Sequence, residues 1–417
     1  MSTREPAPAS ANSGFVTILS ATLIGGVAGY VVTWVVPRSI GFAEYAAFAI
    51  FWSSLFLLAG AVAGIQGEVA RGTRFVDIPA PEPRRARNFA IAGAVAVFVV
   101  AIASAPLWTV PVFGAARFDL AVPLAIGAAS FVLTAVASGV FLGIGRWHAL
   151  AALVITEALL RLCAIVVALQ FTQDLVVLAW VVALPVPVAL LLIWPFVARS
   201  VSRRNTLDVT YRQLVHNVAR TLLAAAAGSL IVSGLPLILG IAAAGESKAV
   251  LGMVILAVTF TRAPLIICAL SLQNFFLVQF RNDPGGFAKR LFAILGVLAG
   301  AGVLLAVAGL TLGPSVFALL FPNEPVPPAG FIAALVGSSA LVGSMFVTAP
   351  ALLARSEHGA YVLGWLAAAI VTVLVMFVPL DLVAKTTLAL ILGPVAGLGV
   401  HGLRLATTRP FPLAPAD

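Results

Sequence analysis

Long apolar runs, separated by short polar or Gly/Pro-bearing interruptions, repeat along the whole chain. Each run is apolar all round. A surface helix would keep a polar face, and a strand of a membrane barrel would alternate polar and apolar residues. Apolar runs of about 18 residues or more read instead as helices that cross a bilayer. The pattern predicts spans at 15–36, 43–65, 88–111, 120–144, 149–170, 175–197, 219–243, 249–272, 289–312, 330–353, 360–379 and 384–405. The expected fold class is therefore an all-α polytopic membrane protein with about twelve transmembrane helices. Residues 1–13 (MSTREPAPASANS) are polar and rich in Pro and Ala, so disorder is expected there. No signal-peptide pattern precedes the first run.

Composition sharpens the exclusion of a soluble fold. Of 417 residues, 62% are hydrophobic and only 9% are Asp, Glu, Lys or Arg, where a soluble domain carries about 25% charged residues. So few charges cannot cover the surface of a cytosolic enzyme of this length. The net charge of +9 would point to nucleic acid in a soluble protein. In a membrane chain, basic residues instead mark loops held on the cytoplasmic side. With the N-terminus inside, 18 Lys and Arg fall in inner segments and 4 (Arg38, Arg117, Lys248, Lys385) in outer ones. That asymmetry places both termini in the cytoplasm, and no nucleic-acid partner is expected. Cys163 and Cys268 lie inside apolar runs, read as inert core residues, and offer no disulfide or zinc framework.

The outer connections are short, the longest being 313–329 (GPSVFALLFPNEPVPPA), with room for some helix. The two longest inner connections are 66–87 and 198–218. The second lies at mid-chain and divides the protein into an N-terminal six-helix lobe, 14–205, and a C-terminal six-helix lobe, 206–405, followed by a cytoplasmic tail, 406–417. Gly41 opens a helix that runs through Gln66 to Arg71, and Gly245 opens one that runs through Gln273 to Arg281. Transporters often carry two such halves.

Catalytic chemistry finds little support. The outer acids Glu44, Asp119, Asp174, Glu246, Glu324 and Asp381 are scattered and form no Asp-x-Asp pair to hold a metal. His148, His216, His358 and His401 fall near cytoplasmic helix ends and read as solvated interfacial residues. No G-x-x-x-x-G-K-[ST] loop exists to bind ATP. The chain is expected not to be an enzyme, and to use neither cofactor nor metal.

Charges inside the spans are the exception that asks for a function, since each costs at least ~2.5–3.5 kcal/mol at the centre of a membrane helix. Glu157 and Arg161 lie four apart in LVITEALLRLCAIVV, with the acid on the N-terminal side, the favoured ion-pair orientation. They are either a self-neutralising structural pair or part of a polar cavity wall in which Glu157 accepts a proton. Arg262, in VILAVTFTRAPLIICAL, has no acid in its span and lies about 21 Å of helix from Lys248, too deep to snorkel. It pairs at long range with Glu157, or with carbonyls freed by Pro264, or it binds a ligand. A guanidinium fork matches phosphate or carboxylate, so an excess of interior positive charge favours an anionic ligand. Pro264, and Gly234 with Pro236, are hinge candidates.

VPRSIGFAEYAAFAIFWSSLFLLAGAVAGI (36–65) resembles the stretch of polysaccharide (O-antigen-type) flippases in which a P-R-x-x-G-x-x-x-Y turn leads into an apolar helix. TRAP at 261–264 and ALLFP at 318–322 are similar to further stretches of that family, in the same order along the chain. The family shares a superfamily with multidrug extruders and the peptidoglycan lipid flippase. The resemblance implies a V-shaped pair of lobes working by alternating access in the bacterial cytoplasmic membrane. Its substrate would be an anionic glycolipid, a polyprenyl pyrophosphate-linked oligosaccharide destined for cell-envelope glycan. Membrane lipids and glycan-assembly membrane proteins would be its partners. Arg262 is the substrate-binding residue that the resemblance implies; from their place inside a span, Arg161 is a second substrate-binding candidate and Glu157 a coupling or charge-balancing one. The early spans lack the intramembrane Arg residues usual in peptidoglycan flippases, which favours the polysaccharide branch. The competing class is a cation-coupled small-molecule exporter.

Overall fold

The computed structural model describes residues 11–75, 85–113, 116–203, 205–207, 211–243, 245–282 and 286–407. Residues 1–10 of the expected disordered segment and 408–417 of the expected tail lie outside them. The elements in order are α1 (Ala11–Gly72), β1 (Thr73–Phe75), α2 (Arg85–Phe113), α3 (Phe118–Gly143), α4 (Trp147–Ala168), α5 (Leu175–Ala183), α6 (Pro185–Arg203), β2 (Asn205–Leu207), α7 (Tyr211–Val232), α8 (Leu235–Ala242), α9 (Lys248–Asn282), α10 (Phe287–Leu320), α11 (Ala329–Ala354), α12 (His358–Met376) and α13 (Leu382–Thr407). Among the described residues, ten helical stretches are long and apolar enough to cross a bilayer. The chain is an all-α multi-pass membrane protein, with one short two-stranded ribbon among the described residues.

The breaks follow local chemistry. The 62 residues of α1 would extend about 93 Å if straight, some three times the hydrocarbon core. The helix is interrupted at Gly41, whose φ of 76° and ψ of 163° are not helical. Gly245, just ahead of α9, also takes a positive φ, 91°. Both positions suit glycine because a Cβ disfavours that region. Both glycines thus do the same work, each turning the chain into a long helix. Elsewhere α5 gives way to α6 at Pro185, and α7 to α8 at Gly234. At its other end α10 passes the expected limit at 312 and runs to Leu320, because Phe317 is buried against Phe42, with ring centres 6.0 Å apart.

Contacts group the described residues into two units. The first comprises those of Met1–Val32 and Ser54–Ala226, the second those of Thr33–Ser53 and Ala227–Asp417. In the first, the end of α1 lies close against α3, where glycines admit it. A Cβ on Gly139 would stand 2.7 Å from the Gln66 carbonyl oxygen, and one on Gly143 2.7 Å from Thr73 Cβ. β1 and β2 pair antiparallel, Thr73 opposite Leu207 and Phe75 opposite Asn205. This ribbon joins the connection after α1 to the connection after α6. In the second unit, α9 and α10 pack on α11, and α12 on α13; α7, α11 and α12 share a core of Ile231, Val342, Met345, Phe346, Trp365 and Ala368.

Two expectations are corrected. Cys163 is exposed on α4, not buried in a core; an apolar helix in lipid buries its outer face in hydrocarbon, so an apolar run does not mark the interior. The side chain of Cys268 lies outside the described residues. His401 is fully buried, not solvated. Its Nδ1 lies 2.8 Å from Thr348 Oγ1, and its ring fills the space left by Gly364, where a Cβ would overlap it. His148, His216 and His358 are exposed, as expected.

Candidate functional site

Arg262 lies inside α9, the helix that packs on α11, and is 3% exposed. Its Nε and Nη2 are buried and have no hydrogen-bond partner among the described residues. The neighbouring hydroxyls do not donate to anything but their own helix: Thr259 Oγ1 bonds the Ile255 carbonyl at 2.8 Å, and Thr261 Oγ1 the Ala257 carbonyl at 2.7 Å. Pro264 falls within the same helix, its side chain outside the described residues. A buried guanidinium with open donors is a costly arrangement unless something binds it.

Arg161 has a different setting. It forms an ion pair with Glu157 one turn away, the side chains being 8% and 15% exposed. Its Nε donates to the Val182 carbonyl at 3.2 Å, and its guanidinium carbon lies 4.9 Å from the centre of the Phe56 ring. The four-residue spacing legible in the sequence is a formed pair, and its surroundings engage the guanidinium on several sides. Glu157 also lines a cavity of about 320 Å³ in the first unit, with Thr22, Gln66, Phe131, Thr134 and Ser138. Thr22 returns its hydroxyl to the carbonyl four residues back, whereas Thr134 Oγ1 is buried with no partner among the described residues.

The hinge candidates Gly234 and Pro236 sit at a real helix break. α7 ends at Val232 and α8 starts at Leu235, with Gly234 at its N-cap and Pro236 in its first turn, where the missing N–H is tolerated. Two residues that sequence reasoning did not single out hold α8. Ser53 Oγ donates to the Ser233 carbonyl at 2.5 Å and accepts from the Leu237 N–H at 3.3 Å. Lys385 Nζ donates to the Ala242 carbonyl at 2.6 Å, at the last residue of α8. No sequence signal marks either one, since Ser53 is one hydroxyl in an apolar run and Lys385 reads as a loop charge.

The turn that opens the first of the stretches carrying the family resemblance, the ALLFP segment and the part of α9 just ahead of TRAP meet in the second unit. Phe42 donates its N–H to Glu324 Oε1 at 3.2 Å. Phe42 and Phe321 have ring centres 5.6 Å apart, and Phe260 and Phe321 6.0 Å. A Cβ on Gly252 would overlap the Phe42 carbonyl oxygen. The turn at 37–42, the helix before Arg262 and the ALLFP segment are therefore one packed cluster, with Glu324 answering an N–H left open where α1 resumes. Among the described residues, no three His, Cys, Asp or Glu side chains come together to hold a metal.

No family model matches the chain. It is 30% identical over 406 residues to the uncharacterized protein Rv3630 of Mycobacterium tuberculosis, across 96% of this chain and 94% of the relative. The uncharacterized protein Mb3654 of Mycobacterium bovis matches with the same identity and coverage. Among solved structures, the lipid II flippase MurJ in an inward closed conformation superposes with a TM-score of 0.70 at 9% identity, over 95% of this chain and 88% of that one. An inward-facing multidrug resistance MATE family transporter of the MOP superfamily gives 0.64 at 16%, over 93% and 94%. A MOP superfamily transporter from Pyrococcus furiosus, described by a reversed polarity of its binding pocket, gives 0.62 at 16%, over 94% and 95%. At such identities the likeness is one of fold.

Proposed function

Starting from a chain that belongs to one family with Rv3630 and Mb3654 and has the fold of MOP-superfamily transporters, we propose that it is a flippase. It carries a polyprenyl pyrophosphate-linked oligosaccharide across the bacterial cytoplasmic membrane by alternating access. Twelve spans in two six-helix lobes, with both termini cytoplasmic, complete the reading. The observation that carries it is Arg262, a buried guanidinium in mid-helix with two nitrogens unpartnered among the described residues. A pyrophosphate offers what those donors lack, and bidentate geometry makes the contact strong. Arg161 takes second place as a phosphate ligand because Glu157 already answers its charge.

The drug-exporter reading draws on one observation, the Glu157 carboxylate in a cavity wall. A coupled cation needs net negative charge there, and the ion pair with Arg161 removes it. The flippase is therefore the preferred reading.

The test measures outer-leaflet delivery of lipid-linked glycan, normalised to membrane-inserted protein. Arg262→Lys is expected to keep partial activity, as a point charge in place of a fork. Arg262→Ala is expected to lose nearly all delivery at near-normal abundance, because removing an uncompensated membrane charge relieves a cost. Wild-type delivery per molecule in Arg262→Ala would sink the phosphate-clamp reading.

A further inference from the structure

In a continuous helix the Leu237 N–H would bond the Ser233 carbonyl directly, four residues back. Here the Ser53 hydroxyl stands between them, accepting from the first at 3.3 Å and donating to the second at 2.5 Å. Pro236 supplies no N–H of its own, which starts the break, but it does not explain the inserted hydroxyl. Ser53 is 1% exposed, so no bulk water stands ready to replace it. Insertion of a side chain into the helix ladder is a recognised cause of a kink.

The alternative arrangement is equally complete in hydrogen bonds. If Ser53 withdraws, Leu237 N–H and Ser233 O can close on each other. The freed hydroxyl can then return to the carbonyl of its own helix four residues back, at Ala49. Other hydroxyls in α1 and α2 already do this: Thr22 to Ile18 at 2.9 Å, Ser39 to Val35 at 2.9 Å, and Ser104 to Val100 at 2.6 Å. Neither state strands a buried polar group, which is the condition for two discrete arrangements of similar energy in a low-dielectric interior. α8 is also too short to be stable unaided and is anchored at its far end by Lys385, a cation at a helix C-terminus. Its geometry is thus set by what holds its two ends.

We propose that Ser53 is a positioning residue that switches the α7–α8 helix between a bent state, with its hydroxyl in the ladder, and a straight state, with the ladder closed. The value of such a switch to transport rests on the flippase reading, but the switch itself does not.

The experiment uses the full chain in lipid nanodiscs and compares wild type, Ser53→Ala and Ser53→Thr by amide hydrogen exchange over 233–242, with glycolipid delivery measured alongside. Ser53→Ala leaves only the closed ladder fully bonded, so exchange is expected to slow about tenfold. The turnover rate should fall while the apparent KM stays put. Ser53→Thr keeps the hydroxyl and should restore both. Pro236→Ala is a second route to the straight state and should also slow exchange, should Ser53→Ala fail to accumulate. Unchanged exchange in Ser53→Ala, or faster exchange, would overturn the proposal, since the hydroxyl would then be either idle or a simple filler. Absence of glycolipid delivery by the wild type would instead remove the flippase reading and leave the exchange result to decide the switch.

Discussion

Two arginines of the same type, both buried in membrane helices, differ in what surrounds them. Arg161 is answered by a carboxylate, a carbonyl and an aromatic face, whereas Arg262 Nε and Nη2 have no partner among the described residues. Removing one member of a buried pair strands the other, while removing both can be neutral. Glu157→Gln is therefore expected to lower membrane abundance severalfold, and Arg161→Met in the same chain to restore much of it. If Glu157 also carries a coupling proton, the double variant will be abundant yet inactive. Normal abundance and normal transport in Glu157→Gln would reject both roles. The acid's position four residues before Arg161 was legible from the sequence. The Val182 carbonyl and the Phe56 ring, which complete the setting, were not, because neither belongs to that helix.

At the scale of elements, glycines decide where helices turn and how closely they approach. Gly41 turns with positive φ, and its virtual Cβ would meet Glu324 Oε1 at 3.2 Å. Gly252 admits the Phe42 backbone, where any Cβ would collide with a carbonyl that the α1 turn cannot easily move. Gly296 lies in α10 with nothing within 4 Å. Gly252→Ala should cost about 1–3 kcal/mol through overpacking. Gly41→Ala should cost about 1–3 kcal/mol, because its φ of 76° and ψ of 163° lie in a region that glycine alone occupies readily. Gly296→Ala should be neutral or stabilising, as alanine is the better helix former. Thermal unfolding of the purified variants in one detergent checks this order, and equal midpoints for Gly252→Ala and Gly296→Ala would refute it.

For the whole molecule, function depends on which side of the membrane each connection faces. Pairing of β1 with β2 brings the connections after α1 and after α6 together in the first unit, in keeping with a shared side of the membrane. The basic excess in the sequence leads us to expect that side to be the cytoplasm. In a background with Cys163 and Cys268 replaced, Ser202→Cys should resist an impermeant thiol reagent in whole cells and Asn323→Cys should react. Labelling of Ser202→Cys but not Asn323→Cys would invert the topology. The sequence divides the chain in linear order, at 205/206. Contacts group the described residues differently, with those of Thr33–Ser53 alongside those of Ala227–Asp417, because nearness in space does not follow nearness along a folded chain.

What the sequence determined by itself is whatever depends on local composition and spacing. All-round apolar runs dictate membrane helices because lipid leaves the backbone no other partner. Gly41, Gly245 and the Gly234–Pro236 pair mark turns or breaks because their backbone limits travel with the residue. The Glu157–Arg161 pair follows from helical spacing alone. Tertiary structure decided everything that requires atoms from distant parts of the chain to meet within bonding distance. It left two Arg262 nitrogens without partners among the described residues, placed His401 inside and Cys163 outside, and joined the Phe42 turn to Glu324. It also set Ser53 into a helix break 180 residues away. Hydropathy is nearly blind to such choices in a membrane protein, since inward and outward faces are both apolar and only packing and hydrogen bonding tell them apart.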